Sequence, residues 1–343
     1  MRYIVIGAGA VGGSIGGRLH ESGRDVVLVA RGEHEAALRA DGLRFSTPEG
    51  TRYVRVPVAG GPEDVELRPD DVLVLAVKTQ HTARALGLWA GRPVAGGGTA
   101  GESLPLLCAQ NGVENERLAL RLFRRVYGVC VVLPAAFVRP GAVTAACGPY
   151  TGVLLIGRYP GGVDDTARAI AADLEDSVFR APVLPDVMRF KYAKLLGNLA
   201  QTVEALCGPV AAGSPEAELA GRSRAEGVKV LEAARIGFAD AAELAALRKG
   251  AVEPQDAPDG ERALGSAWQS LARGAGSIEA DYLNGELVLL GRMHGVSTPV
   301  NETLLRLANA AAAQGRQPGT AAAAGILALL GTPAGHAAPP TAM

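Results

Sequence analysis

"RYIVIGAGAVGGSIGGRLHESGRDVVLVA", residues 2–30, decides the fold. "RYIVI" is a short apolar strand. The glycine-rich run after it turns into a helix that ends near Gly23, and "DVVLVA" is the next strand. A β-α-β unit this compact needs a right-handed crossover and a parallel sheet. Gly7, Gly9 and Gly12 form G-x-G-x-x-G at the strand-to-helix junction. The first glycine makes a tight turn, the second lets a pyrophosphate approach the backbone, and the third packs helix against strand. The amides of Ala10, Val11 and Gly12, at the helix N-terminus, face the phosphates. A merely glycine-rich turn is the competing reading, and the strand before with the helix after argue against it.

The end of the second strand sets the choice of dinucleotide. NAD binders place an Asp or Glu there for the ribose 2′-hydroxyl. Here the sequence is Ala30–Arg31–Gly32. Arg31 offers a planar cationic fork suited to a 2′-phosphate, so the expected cofactor is NADP(H). A plain surface arginine is the alternative. Lys78 follows the strand "LVLAV" at the carboxyl edge of the sheet, where ligands bind. It reads equally as a cleft lysine or a solvated one.

Length and composition bound the rest. The 343 residues suggest two domains, and 48% apolar with 20% charged residues describes a globular chain. A net charge of −1 gives no general attraction to nucleic acid or anionic membrane. The longest apolar runs fall far short of the roughly 20 residues that span a bilayer. Glycines interrupt the N-terminal run at once, so no signal peptide fits, and a cytoplasmic protein is expected. Cys108, Cys130, Cys147 and Cys207 form no C-x-x-C pair and read as reduced. The five histidines are scattered, and no metal site is expected.

"LRFSTPEGTRYVRVPVA", 43–59, alternates about "PEG" like a hairpin. "DVLVLAV", 71–77, and "LPLLCAQ", 104–110, are strands of the kind buried on both faces. "VYGVCVVLPA", 126–135, "GAVTAAC", 141–147, and "GVLLIG", 152–157, are expected to extend the same sheet. Beyond residue 183 strand signals stop. The expected fold is α/β: an N-terminal NADP-binding domain with a Rossmann-type doubly wound sheet (1–183), then an all-helical C-terminal substrate domain (184–331). Residues 332–343 read as a frayed tail. Thr298–Pro299 marks a helix start.

"KYAKLLGNLAQT", 191–202, reads as helix. Leu195, Leu196, Leu199 and Val203 share one face, and Lys191, Lys194, Asn198 and Thr202 another. Such a stripe faces either water or a substrate. Lys194 has no carboxylate three or four residues away to make an ordinary helix ion pair. A reductase must protonate the alkoxide it forms, and a lysine serves when burial or a like charge lowers its pKa. Lys191, one turn earlier, reads as that like charge. Downstream, Glu279 is expected in the first turn of a helix capped by Ser277, either complementing the helix dipole or accepting a substrate hydroxyl.

"GAGAVGG" at the start, "VK" at 77–78, "QNG" at 110–112, "KLLGN" at 194–198 and "S-x-x-Q…IEADYLNG" ending at 285 occur in this order over nearly the whole chain. In this ordered set the chain resembles the ketopantoate reductase (2-dehydropantoate 2-reductase) family. The resemblance implies a Rossmann domain, a helical domain, NADPH and a 2-oxo acid substrate. It implies Lys194 as general acid and Glu279 as partner of the substrate hydroxyl. Asn198, Asn111 and Ser266 match substrate contacts, Asn111 also borders the cofactor, and Lys78 matches a cleft lysine. Thr202 is also expected to contact the substrate, and two positions on that side depart from the pattern: Thr202 stands where the family often has Asn, and Ser270 where it often has Asp. The implied reaction is reduction of 2-dehydropantoate to (R)-pantoate. The alternatives are another 2-oxo acid, or an NADP(H)-binding sensor without catalysis. Apolar helix faces are compatible with a homodimer.

Overall fold

The computed structural model describes residues 1–255 and 265–331. β1 (Arg2–Ile6) is buried along its whole length. The first helix, Ala10–Glu21, follows, and β2 (Asp25–Val29) returns parallel to β1, with Arg2 opposite Asp25 and Ile6 opposite Val29. β3 (Leu43–Thr47) and β4 (Gly50–Val54) form the antiparallel hairpin expected about "PEG", and β5 (Val58–Ala59) pairs with β2. β6 (Asp71–Leu75) lies on the other side of β1. β7 (Pro105–Cys108) and β8 (Arg125–Val132) continue the sheet in parallel.

After β9 (Ala135–Arg139), β10 (Ala142–Ala145) and β11 (Cys147–Pro149), β12 (Gly152–Arg158) pairs antiparallel to β8, and β13 (Phe179–Arg180) closes that edge. The eight-stranded order is β13-β12-β8-β7-β6-β1-β2-β5. Connections leave β1 in opposite directions, so the crevice outside its carboxyl end is a topological switch point. Alternate residues of β1 feed two cores. Tyr3 and Val5 pack with Ile15, Leu19 and Ile170, whereas Ile4 and Ile6 pack with Leu86, Trp89 and Phe123. Both faces of the sheet are therefore covered, as a doubly wound fold requires.

Two expectations change. "GAVTAAC" does not extend the main sheet. β10 pairs with β9 and β3 in a second, four-stranded sheet ordered β4-β3-β10-β9. The reason lies on the first helix. A Cβ on Gly13 would stand 2.9 Å from Val143, and one on Gly17 would stand 3.1 Å from Leu43. The helix thus turns a face without side chains to the second sheet, which closes onto it.

The part after residue 183 is not wholly helical either. β14 (Val252–Pro254) pairs antiparallel with β11. Val252 and Ala251 complete an apolar cluster with Cys147, Val153, Leu155, Val187 and Phe190.

The chain forms two compact units, one of Met1–Gly197 with Arg235–Gln269 and one of Asn198–Ala234 with Ser270–Met343. The expected boundary at 183/184 lies inside the first. Among the described residues the second unit is helical: Pro215–Ala233, Asn284–His294, Pro299–Ala313 and Ala323–Gly331. Pro299 does open its helix, with Thr298 at the cap position but without a side-chain capping bond. The expected frayed tail, 332–343, lies outside the described residues. No described helix is long and apolar enough to cross a membrane.

Candidate active site

The glycine turn has three distinct constraints. Gly7 has φ +102°, and a Cβ there would stand 2.9 Å from Val77. A Cβ on Gly12 would lie 2.0 Å from the Gly7 carbonyl oxygen, so only glycine lets the helix start this close to β1. Around Gly9 there is nothing within 4 Å of where a Cβ would be. Gly9 is the N-cap residue and supplies no side-chain cap. The first-turn amides at Ala10, Val11 and Gly12 have no intrahelical acceptor and sit at the positive end of the helix dipole. This cradle fits the pyrophosphate of a dinucleotide.

Arg31 caps the next helix, Gly32–Asp41. It is exposed and makes no ion pair among the described residues. Its guanidinium suits a 2′-phosphate. Lys78 is half-buried and precedes the 3₁₀ turn Thr79–His81, just past β6.

The loop after β7 brings in the long helix Val187–Cys207. Lys194 donates from Nζ to Asn111 Oδ1 at 2.7 Å and also to the Val131 carbonyl. Residues 83 apart in sequence thereby meet at the carboxyl edge of the sheet. The loop itself is held from below. Asn115 Nδ2 donates to the Asn111 carbonyl at 2.9 Å, and Thr82 Oγ1 donates to Asn115 Oδ1 at 2.7 Å. Gln110 Nε2 donates to the Val77 carbonyl at 2.7 Å and to Thr82 Oγ1 at 2.8 Å. Together these bonds fix Asn111, which in turn orients the Lys194 ammonium.

Lys191 does not stand as the like charge expected from the sequence. It is 4% exposed and ion-paired with Glu116, which is wholly buried. It also donates to the Gln110 carbonyl at 3.1 Å. Burial pushes the Glu116 carboxyl above the usual carboxylate range, and the Lys191 ammonium opposes that push. The pair is neutral as a unit, so it offers Lys194 little net repulsion.

In the second unit the stripe is again buried rather than solvated, with Asn198 6% and Thr202 1% exposed. Asn198 Oδ1 accepts from Gln201 Nε2 at 3.1 Å, while its Nδ2 has no partner among the described residues. Thr202 Oγ1 donates to Asn284 Oδ1 at 2.6 Å, and Asn284 Nδ2 donates to Asn301 Oδ1 at 2.9 Å. Glu279 is buried and opens a 3₁₀ turn, Glu279–Tyr282, with Ile278 rather than Ser277 at the cap position. That turn is shorter than the α-helix start expected, and it carries no side-chain capping bond. Ser266 begins the helix Ser266–Ala272, and Gln269, three residues on, spans Ala135 and Phe137 of β9 with two backbone hydrogen bonds of 3.4 Å.

Gly7, Gly9, Gly12, Arg31, Lys78, Asn111, Lys194 and Ser266 thus belong to the first unit, and Asn198, Thr202, Ser270 and Glu279 to the second. Asn115 and Glu116 escaped the sequence reading. Their signal was two polar residues at core-facing positions of a short helix, where Asn115, Glu116 and Ala119 are all buried.

The family described as Ketopantoate reductase PanE/ApbA matches residues 3–161, and its C-terminal counterpart matches residues 186–312. The 2-dehydropantoate 2-reductase of Halobacterium salinarum is 30% identical over 330 residues, 92% of this chain and 100% of its own length. That of Archaeoglobus fulgidus is 29% identical over 312 residues, 89% of this chain and 96% of its own. A crystal structure of a PanE/ApbA family ketopantoate reductase from Ralstonia eutropha superposes with a TM-score of 0.75 at 27% identity, covering 92% of this chain and 99% of that one. A D-mandelate dehydrogenase solved with NADH and anilino(oxo)acetate shares the fold, with a TM-score of 0.76 at 21% identity over 92% and 99% of the two chains. The glycine cradle and the paired Lys194 and Asn111 thus sit in a chain matched over both of its halves, and the chain belongs to the ketopantoate reductase family.

Proposed function

We propose that this oxidoreductase reduces 2-dehydropantoate to (R)-pantoate with NADPH, and that Lys194 is the general acid. The observation that carries the reading is the Lys194 ammonium held on Asn111 Oδ1 at the carboxyl edge of the sheet. The bound nicotinamide supplies the hydride. Lys194 holds a proton at Nζ and gives it to the substrate oxygen as charge develops there, a role worth typically 10²–10⁴-fold in rate. Asn111 and the Val131 carbonyl keep that ammonium in one place, so little reorganisation is needed in the transition state. Asn198 and Glu279 take the family's substrate-hydroxyl role, and Ser266 the carboxylate end. The choice of NADPH rests on Arg31.

A second reading keeps the chemistry and changes the acid. Thr202 gives its hydroxyl hydrogen to Asn284, where the family often has an asparagine amide. The test is loss of nicotinamide absorbance with 2-dehydropantoate, beside pyruvate and 2-oxoisovalerate, for the wild type and Lys194→Ala. Turnover of 2-dehydropantoate that collapses in Lys194→Ala, with NADPH binding intact, supports the proposal. Turnover of another acid moves the substrate. Binding without turnover of any acid leaves a sensor, and full activity in Lys194→Ala removes the lysine from the chemistry.

A further inference from the structure

We infer that His34 is a positioning residue for the cofactor turn, holding the Ala8 carbonyl so that the next amide, Gly9 N–H, is aimed for phosphate. The inference rests on the reading of Gly7–Gly12 as a dinucleotide cradle. His34 lies on the helix that begins just after Arg31. Its Nε2 is 2.7 Å from the Ala8 carbonyl oxygen, and Gly141 N–H donates to its Nδ1 at 2.9 Å. A carbonyl only accepts and an amide N–H only donates. Only the neutral imidazole with the proton on Nε2 satisfies both. Burial lowers the His34 pKa, against the pull of the bond to Ala8, and so favours that neutral form.

The ring is clamped on its other sides too. Phe137 meets it edge-on at 4.8 Å between centroids, with the planes at 84°. Gly141, with φ +79°, turns the β9–β10 hairpin so close to the helix that a Cβ there would be 2.9 Å from Ala37 Cβ. The turn that His34 reaches is itself buried at Ala8. Backbone bonds from Gly7 N–H and Ala8 N–H to the Val29 carbonyl, at 3.1 and 3.2 Å, hold it on the β2 side. His34 holds the Ala8 carbonyl.

The peptide link between Ala8 and Gly9 is planar and trans, so its C=O and N–H point in opposite directions. Fixing the carbonyl on His34 therefore fixes where Gly9 N–H points. The same side chain ties this amide to the helix that carries Arg31, so the pyrophosphate cradle and the 2′-phosphate reader share one anchor.

The two ring bonds separate in two neutral variants of the full chain. In His34→Gln the terminal amide takes the place of Nε2 and keeps the bond to Ala8. In His34→Asn the shorter side chain puts its oxygen near Nδ1 and keeps the bond to Gly141. NADPH is the probe, followed by its fluorescence, with Tm and steady-state constants measured beside it. His34→Gln is expected to bind NADPH like the wild type. His34→Asn leaves the buried Ala8 carbonyl without this donor, so it is expected to melt below the wild type, to keep its kcat at saturating NADPH and to bind NADPH about 3- to 10-fold more weakly, the loss of one hydrogen bond. Wild-type affinity in His34→Asn would overturn the positioning role alone. Equal losses of Tm and affinity in both variants would also overturn it and leave His34 a structural pin. A wild type that binds neither NADPH nor NADH would overturn the cofactor reading and this inference with it.

Discussion

Replacing Lys191 by methionine keeps most of the aliphatic volume and removes the charge. Glu116 would then remain in the core with its side chain fully buried. One of its oxygens, Oε2, already has no partner among the described residues. Removing one partner from a buried ion pair costs about 3–5 kcal/mol, because an uncompensated charge is left behind. At about 2–4 °C per kcal/mol for a domain of this size, Lys191→Met should melt about 6–20 °C below the wild type. The deficit should depend on pH. Burial raises the folded-state pKa of Glu116 above its unfolded value, and without Lys191 only a hydrogen bond from its own backbone opposes that rise. A group with a raised folded pKa favours the native state while protonated and loses that contribution as pH climbs through its folded value. The variant's deficit should therefore be largest near pH 8 and shrink toward pH 5, where the carboxyl needs no counter-charge. Thermal melts at both values measure it. The double variant Lys191→Met/Glu116→Leu should recover most of the loss, since apolar replacement of a whole buried pair is often neutral. A single-variant loss below about 1 kcal/mol, the same at both pH values, would refute the reasoning.

The glycines of the cradle should separate binding from folding. Gly9→Ala, with open space at its Cβ, should keep its Tm and lose NADPH affinity, whereas Gly12→Ala, with its Cβ 2.0 Å from a carbonyl oxygen, should fold poorly or not at all. Melting and fluorescence titration of both check this. Arg31→Ala should lower the ratio of NADPH to NADH efficiency by roughly 10- to 100-fold, the worth of a charge-assisted hydrogen bond. An unchanged ratio would show that another group reads the 2′-phosphate. Thr202→Val leaves the Asn284 oxygen without its donor and should cost about 1–3 kcal/mol. The KM for the 2-oxo acid should hardly move. A higher KM at unchanged Tm would return Thr202 to the substrate.

What could be read in the sequence was local. Gly7, Gly9 and Gly12 lie within one turn, and the tightest constraint, on Gly12, comes from the Gly7 carbonyl in that same turn. The stripe of Lys194 and Asn198 was visible because helical spacing repeats along the chain. The partners were not visible. Glu116 is 75 residues from Lys191, and nothing in either neighbourhood announces the pair. His34 acts on two backbone groups, the Ala8 carbonyl and the Gly141 amide, which any residue would supply. β10 alternates like a strand of the main sheet, and what diverts it is the bare Gly13 and Gly17 face of a helix far earlier in the chain. β14 has three residues, too few for a periodic signal.

The return of the chain to its first unit at Arg235 has a consequence for the order of synthesis. A ribosome releases β11, β12 and the start of the long helix well before Ala251 and Val252, which complete their apolar cluster. The intervening stretch from 198 to 234 goes to the other unit. At about 5–20 residues per second the wait from Gly197 to Pro254 is roughly 3–11 s. Throughout that time the nascent first unit exposes an unpaired β11 edge beside Val153 and Leu155. A chain stopped at residue 183 would remain permanently in that condition, so a fragment cut there should be sticky and sparingly soluble rather than a self-sufficient nucleotide-binding domain.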